Sequence, residues 1–116
     1  MSYTRACAAA DVPVDEALGV TLGDLDVAVA RHGDEFFAIQ DLCSHAAVQL
    51  SEGEVTASDS GAGTIECWLH GSRFDLRSGA PTGLPATEPV ATFPVEVRED
   101  GLYVDTTTTL NGVTPS

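Results

Sequence analysis

The apolar residues of this chain recur at every second position and almost never at every 3.6, and no amphipathic stretch is long enough for a sizeable helix. Residues 28–30 and 36–39 carry β-branched or aromatic side chains, and His32-Gly33-Asp34 between them reads as a hairpin turn. The same grammar returns over residues 90–98, alternating around Phe93, Val95 and Val97. That face is expected to turn inward while Glu96 and Arg98 stay wet. Glu99-Asp100-Gly101 then forms a turn into Leu102, Tyr103 and Val104. Six prolines and eleven glycines punctuate the remainder. The expected fold is a small antiparallel all-β domain.

Residues 40–88 depart from this pattern, being rich in Gly, Ser and Pro with few strand signals. A loop-rich run of about fifty residues inside a compact domain needs something besides apolar burial to order it, and a metal site supplies such order. A chain of 116 residues holds one domain. Its expected extent is 1–105, with a metal-binding subdomain over about 41–88 and a flexible C-terminal tail over 106–116, where little is available to bury. Residues 58–63 read as a flexible surface turn.

Charge narrows the partners. Eighteen acidic residues face five arginines and no lysine, for a net charge of −13. Such a chain repels phosphate backbones and anionic lipid, which excludes nucleic acid and a polybasic membrane site and favours proteins with a positive face. No apolar run reaches the ~20 residues that span a bilayer. Three cysteines are too few and too odd in number for a disulfide framework, and no export signal is visible, so a cytoplasmic, reducing location is expected. The high charge favours a monomer.

Four of the six Cys and His residues fall into two matched pairs, Cys43-Ser44-His45 and Cys67-Trp68-Leu69-His70. Two short loops that meet would offer two thiolates and two imidazoles. A structural zinc accepts that donor set, but its usual order is two cysteines followed by two histidines. The alternating order here fits a two-iron cluster to which each loop contributes both ligand types. The remaining Cys7 reads as a buried strand residue and His32 as an exposed turn residue.

Cys43-x-His45 and Cys67-x-x-His70-Gly71-Ser72-Arg73-Phe74-Asp75 resemble the two cluster-binding boxes of the Rieske iron–sulfur family, and Gly83-Leu84-Pro85-Ala86 is similar to its proline-bearing third loop. The likeness runs along essentially the whole chain and is nearest to small bacterial Rieske-type ferredoxins. It implies one [2Fe–2S] cluster, with Cys43 and Cys67 on one iron and His45 and His70 on the other. Replacement of two thiolates by neutral imidazoles is what places Rieske potentials at about −150 to +300 mV. Respiratory members carry an extra cysteine in each box, joined as a disulfide; Val48 and Leu69 stand at those places here. The high-potential branch has serine and tyrosine hydroxyls in the second box; Ser72 keeps the first and Phe74 lacks the second. A potential low in the Rieske range follows.

The resemblance implies a one-electron carrier, not an enzyme, between a flavoprotein reductase and a non-haem iron oxygenase. All four ligands are used by the cluster, and an oxygenase iron would need two further histidines where only His32 remains. The alternative is an accessory redox protein of iron–sulfur cluster assembly. Trp68 and Leu69 could form an apolar lip over the cluster, with Pro85 in the covering loop. Arg73 and Arg77 are expected to pair with acids such as Asp75 or Asp41.

Overall fold

Val27-Ala28-Val29-Ala30 is buried without interruption, a pattern that a strand with one wet face does not produce. The computed structural model, which describes residues 3–42, 48–57, 63–68, 71–82 and 87–113, shows why. Its strands are β1 (Tyr3–Cys7), β2 (Glu16–Leu22), β3 (Leu25–His32), β4 (Glu35–Gln40), β5 (Val55–Ala57), β6 (Gly63–Glu66), β7 (Arg73–Asp75), β8 (Thr92–Phe93), β9 (Val95–Arg98) and β10 (Gly101–Asp105). They form three antiparallel sheets in the orders β1-β10-β9, β2-β3-β4-β8 and β5-β6-β7.

The sheet containing β3 and β4 is the middle layer. Alternate residues of one strand point to opposite faces, and here both faces are covered. Ala28, Ala30, Phe37 and Ile39 pack into a core with Ile65, Cys67 and Phe74 of the β5-β6-β7 region. Val27, Val29 and Ala38 pack the other way, into a core with Cys7, Leu102 and Val104 of the β1-β10-β9 sheet. Register fixes this division, since Ala28 pairs with Ile39 and Val29 with Ala38. Small residues on β3 let both neighbouring layers approach.

The hairpin at Gly33-Asp34 and the turn at Glu99-Asp100 stand where the sequence places them. The expected strand over 90–98 is broken in two. Pro94 separates β8, which pairs with β4, from β9, which pairs with β10. Proline has no N–H for a ladder, so the chain changes sheets there. Phe93 is buried as expected and Val95 packs against the second core, but Val97, further along the edge strand β9, is 60 % exposed.

Residues 40–88 hold more strand than their composition suggests. Val55, Ile65 and Phe74 stand in register across β5, β6 and β7, one apolar residue per strand, and all three are buried. Strands of three or four residues are too short to display a period. Gly63 belongs to β6 and not to a surface turn: a Cβ there would lie 3.0 Å from the His32 side chain. The rest of that expected turn, residues 58–62, lies outside the described residues. Beyond Asp105 the chain is tied back to the body. Leu110 N–H donates to Thr92 O at 2.8 Å, and the Asn111 amide donates to Val90 O at 2.7 Å and Ser78 O at 2.8 Å. Val113 adds apolar packing against the second core.

Candidate metal centre

The loop that carries Cys43 and His45 leaves from two buried polar residues, Gln40 and Asp41. The Gln40 side chain accepts Ala91 N–H at 2.9 Å and donates from Nε2 to Leu42 O at 2.9 Å. Asp41 accepts Ser51 N–H at 2.7 Å, the Ser51 hydroxyl at 2.8 Å and the Gln49 amide at 3.3 Å. Asp41 and Ser51, which flank the first Cys/His segment in the chain, are therefore tied to each other. A carboxylate this deep is tolerated only when its oxygens are satisfied, and three donors satisfy them. Gly19 leaves the space: a Cβ there would meet Asp41 Oδ2 at 2.8 Å.

The second loop closes the β6–β7 hairpin. Cys67 N–H donates to Ser72 O at 2.6 Å, and Gly71 N–H donates back to Cys67 O at 2.9 Å. Gly71 has φ of +76°, a left-handed conformation that glycine adopts without strain. This closure turns Cys67 and Ser72 inward, where both are fully buried, and turns Trp68 outward at 54 % exposure.

Three contacts hold the two loops together. Gly53 lies flat against the residue before Cys67, so that a Cβ on it would fall 1.6 Å from Glu66 O. Glu66 N–H donates to Glu54 O at 2.9 Å, and Trp68 Nε1–H donates to Glu52 Oε2 at 3.1 Å. The chain leaving the first loop is thus fastened along the second. Thr82 N–H donates to Arg73 O at 2.8 Å, and Phe74 bridges to Pro81. The lead-in to the third loop, 83–86, accordingly runs beside β7.

Of the residues expected from sequence, Cys67, Ser72 and Phe74 stand together at this hairpin, all fully buried. Cys43, His45, Leu69, His70 and Pro85 lie outside the described residues. Val48 packs against the same core as Cys67. Cys7 is a buried strand residue, as read, and burial together with nearby Asp11 pushes its thiol pKa up. Three expectations need correction. His32 is not an exposed turn residue: it ends β3 with its side chain 24 % exposed, and its Nδ1 lies 2.8 Å from Asp15 Oδ1, because Asp15 is docked on Arg31 O beside it. Arg77 pairs with Glu35 at 3.0 Å across the Phe37 ring, while Asp75 caps the Arg77 and Ser78 N–H groups. Asp41 is occupied by Ser51, and Arg73 forms no ion pair among the described residues. Sequence reading also passed over Gln40 and Gly53, and named Asp41 only as a partner for arginine. The one visible signal was a polar Gln-Asp step between an apolar strand and the first cysteine.

The site suits a sulfur-bridged metal cluster. One thiol is withdrawn from water at the base of a tight hairpin, a buried hydroxyl shares its turn, and the stems that deliver the other Cys/His segment converge on it. Residues 2–94 match the Rieske [2Fe-2S] domain family, and the chain belongs to that family. It is a Rieske ferredoxin, an electron carrier whose cofactor is a Rieske-type [2Fe–2S] cluster. Among individual proteins it is similar to the 3-phenylpropionate/cinnamic acid dioxygenase ferredoxin subunit of Escherichia coli (strain K12). The two are 39 % identical over 105 residues, 90 % of this chain and 94 % of that protein. Its fold is similar to the ferredoxin of carbazole 1,9a-dioxygenase from Nocardioides aromaticivorans IC177, with a TM-score of 0.80 and 35 % identity, covering 90 % of this chain and 97 % of that one. A chain from the complex of reduced oxygenase and oxidized ferredoxin in carbazole 1,9a-dioxygenase matches with a TM-score of 0.77 and 38 % identity, over 88 % and 91 % of the two chains.

Proposed function

We propose that Cys43, His45, Cys67 and His70 hold the cluster, the cysteines on one iron and the histidines on the other, and that the protein carries single electrons from a flavoprotein reductase to a non-haem iron oxygenase. The bound cluster supplies one-electron redox chemistry within the Rieske range of about −150 to +300 mV. The protein's residues set where in that range it works. In this reading Ser72, buried in the turn that begins at Cys67, would donate its hydroxyl to a cluster sulfur, whereas Phe74 offers no donor. Leu69 and Pro85 are assigned to the apolar cover that keeps water from the site.

The observation that carries this reading is the buried Cys67–Ser72 hairpin fastened through Gly53 and Glu52 to the stem of the first Cys/His loop. The names of the relatives support the oxygenase pathway over a role in cluster assembly. Among the described residues no helix is long and apolar enough to cross a membrane. The free thiol at Cys7 suits a reducing cytoplasm, where the chain would work as a monomer. Anaerobic protein should hold two irons and two sulfides per chain and give a rhombic EPR signal of low average g after dithionite. Colourless protein that binds one zinc, even after cluster reconstitution, would overturn the reading.

A further inference from the structure

Trp68 follows the buried Cys67 directly, yet it stands 54 % exposed, and among the described residues it is the one aromatic side chain left so open beside the metal centre. It is also held still. Its Nε1–H donates to Glu52 Oε2 at 3.1 Å, and Glu52 belongs to a short turn that is itself hydrogen-bonded at Leu50 O and Gln49 O. A surface indole fixed in this way is pre-organised to bind, because its rotamers are already restricted before any partner arrives. Trp is the side chain most enriched among residues that carry interface energy, and its face attracts cations. The ground around it is acidic. Asp15, Glu16, Glu52 and Glu54 line a hollow of about 350 Å³ next to the indole, large enough for the end of a long side chain.

Resting on the electron-carrier reading, we propose that Trp68 and this acidic hollow form the docking anchor for the protein that accepts its electron. That partner presents an arginine or lysine on an otherwise apolar contact. The basic side chain enters the hollow beside Glu52, and the apolar contact lies on the indole. Charge complementarity argues for this occupant: the chain carries −13, and apart from Asp15, whose carboxylate meets His32 Nδ1 at 2.8 Å, the carboxylates of the hollow form no ion pair among the described residues. The placement argues for it as well, since Trp68 directly follows the buried Cys67, a proposed cluster ligand. The other large exposed apolar residues, Val14, Val97 and Leu110, do not adjoin the Cys67 hairpin in sequence or in sheet.

The test uses reduced holoprotein and oxidised cytochrome c, a basic redox protein, mixed in a stopped flow at rising ionic strength, with ferricyanide as a small anionic oxidant for comparison. Trp68→Ala should slow the second-order reaction with cytochrome c about fivefold at low salt, as expected for loss of an interface anchor. Its rate with ferricyanide and its reduction potential serve as controls: any change in the site from loss of the Glu52 contact shows in both reactions, and only the slowing with cytochrome c beyond that seen with ferricyanide is assigned to docking. Glu52→Gln keeps the acceptor for the indole N–H and removes one charge, so its defect should disappear at high salt. It also keeps the test open if Trp68→Ala loses the cluster. Wild-type rates with cytochrome c in both variants would overturn the docking assignment alone. Failure of the wild-type holoprotein to reduce cytochrome c at all would instead overturn the electron-carrier reading beneath it.

Discussion

Replacing Gln40 by methionine isolates the hydrogen bonds that anchor two of the three loops. The two side chains have nearly equal length and volume, so packing is kept. What is lost is the acceptor for Ala91 N–H and the donor to Leu42 O, both at 2.9 Å. Ala91 is fully buried, and its orphaned N–H costs about 1–3 kcal/mol. Leu42 is only partly buried, so water recovers some of the second bond and its loss adds up to ~1 kcal/mol. The total is about 1–4 kcal/mol. At roughly 4 °C per kcal/mol for a domain of this size, the midpoint should fall by about 4–16 °C. Because a bound cofactor makes unfolding irreversible, wild type and variant are compared at one scan rate, by visible absorbance and by far-ultraviolet circular dichroism. Cluster absorbance should be lost at a lower temperature than strand signal in the variant, since the bonds removed hold loop stems. A midpoint within about 3 °C of wild type would refute the argument that these bonds are sealed from water.

Four other outcomes follow from the same structure. Ser72→Ala should lower the reduction potential by tens of millivolts, because a hydrogen bond to a charged group is worth about 1.5–3 kcal/mol; an unchanged potential in protein-film voltammetry would show the hydroxyl pointing elsewhere. Gly53→Ala puts a methyl against the Glu66 carbonyl and should destabilise by ~3 kcal/mol or more, read as loss of cluster-loaded protein on purification. Cys7→Ala should keep two irons per chain and the EPR signal, while Cys67→Ser should lose both, which iron analysis separates directly. Since burial raises the Cys7 pKa, its neutral form is favoured in the fold. The stability this contributes is present below the ordinary thiol range and lost as pH rises through it, so Cys7→Ala should flatten the alkaline fall in stability measured by urea titration.

Much of the site could be read in one dimension because metal ligands announce themselves by type and spacing. Cys43, His45, Cys67 and His70 stand in two short segments, and nothing else in the chain competes for that role. The supports could not be read this way. Asp41 matters because Ser51, ten residues on, returns its N–H and hydroxyl to the same carboxylate. Gly53 matters because the backbone of Glu66 passes against it. Neither partner can be named without the path of the chain. His32 and Arg77 were misplaced for the same reason, since Asp15 and Glu35 reach them only after sheets have formed.

Sequence by itself determined the class of fold, through its period of two, and the chemistry of the centre, through its two Cys/His pairs. Local patterns suffice for both, because side-chain alternation and ligand type are properties of neighbouring residues. Tertiary structure alone decided that Val27-Ala28-Val29-Ala30 serves two cores, that Pro94 hands the chain from one sheet to another, and that Trp68 faces out while Cys67 faces in. Each of these depends on what lies across a sheet or a hairpin. Such contacts join residues far apart in the chain, and no local periodicity encodes them.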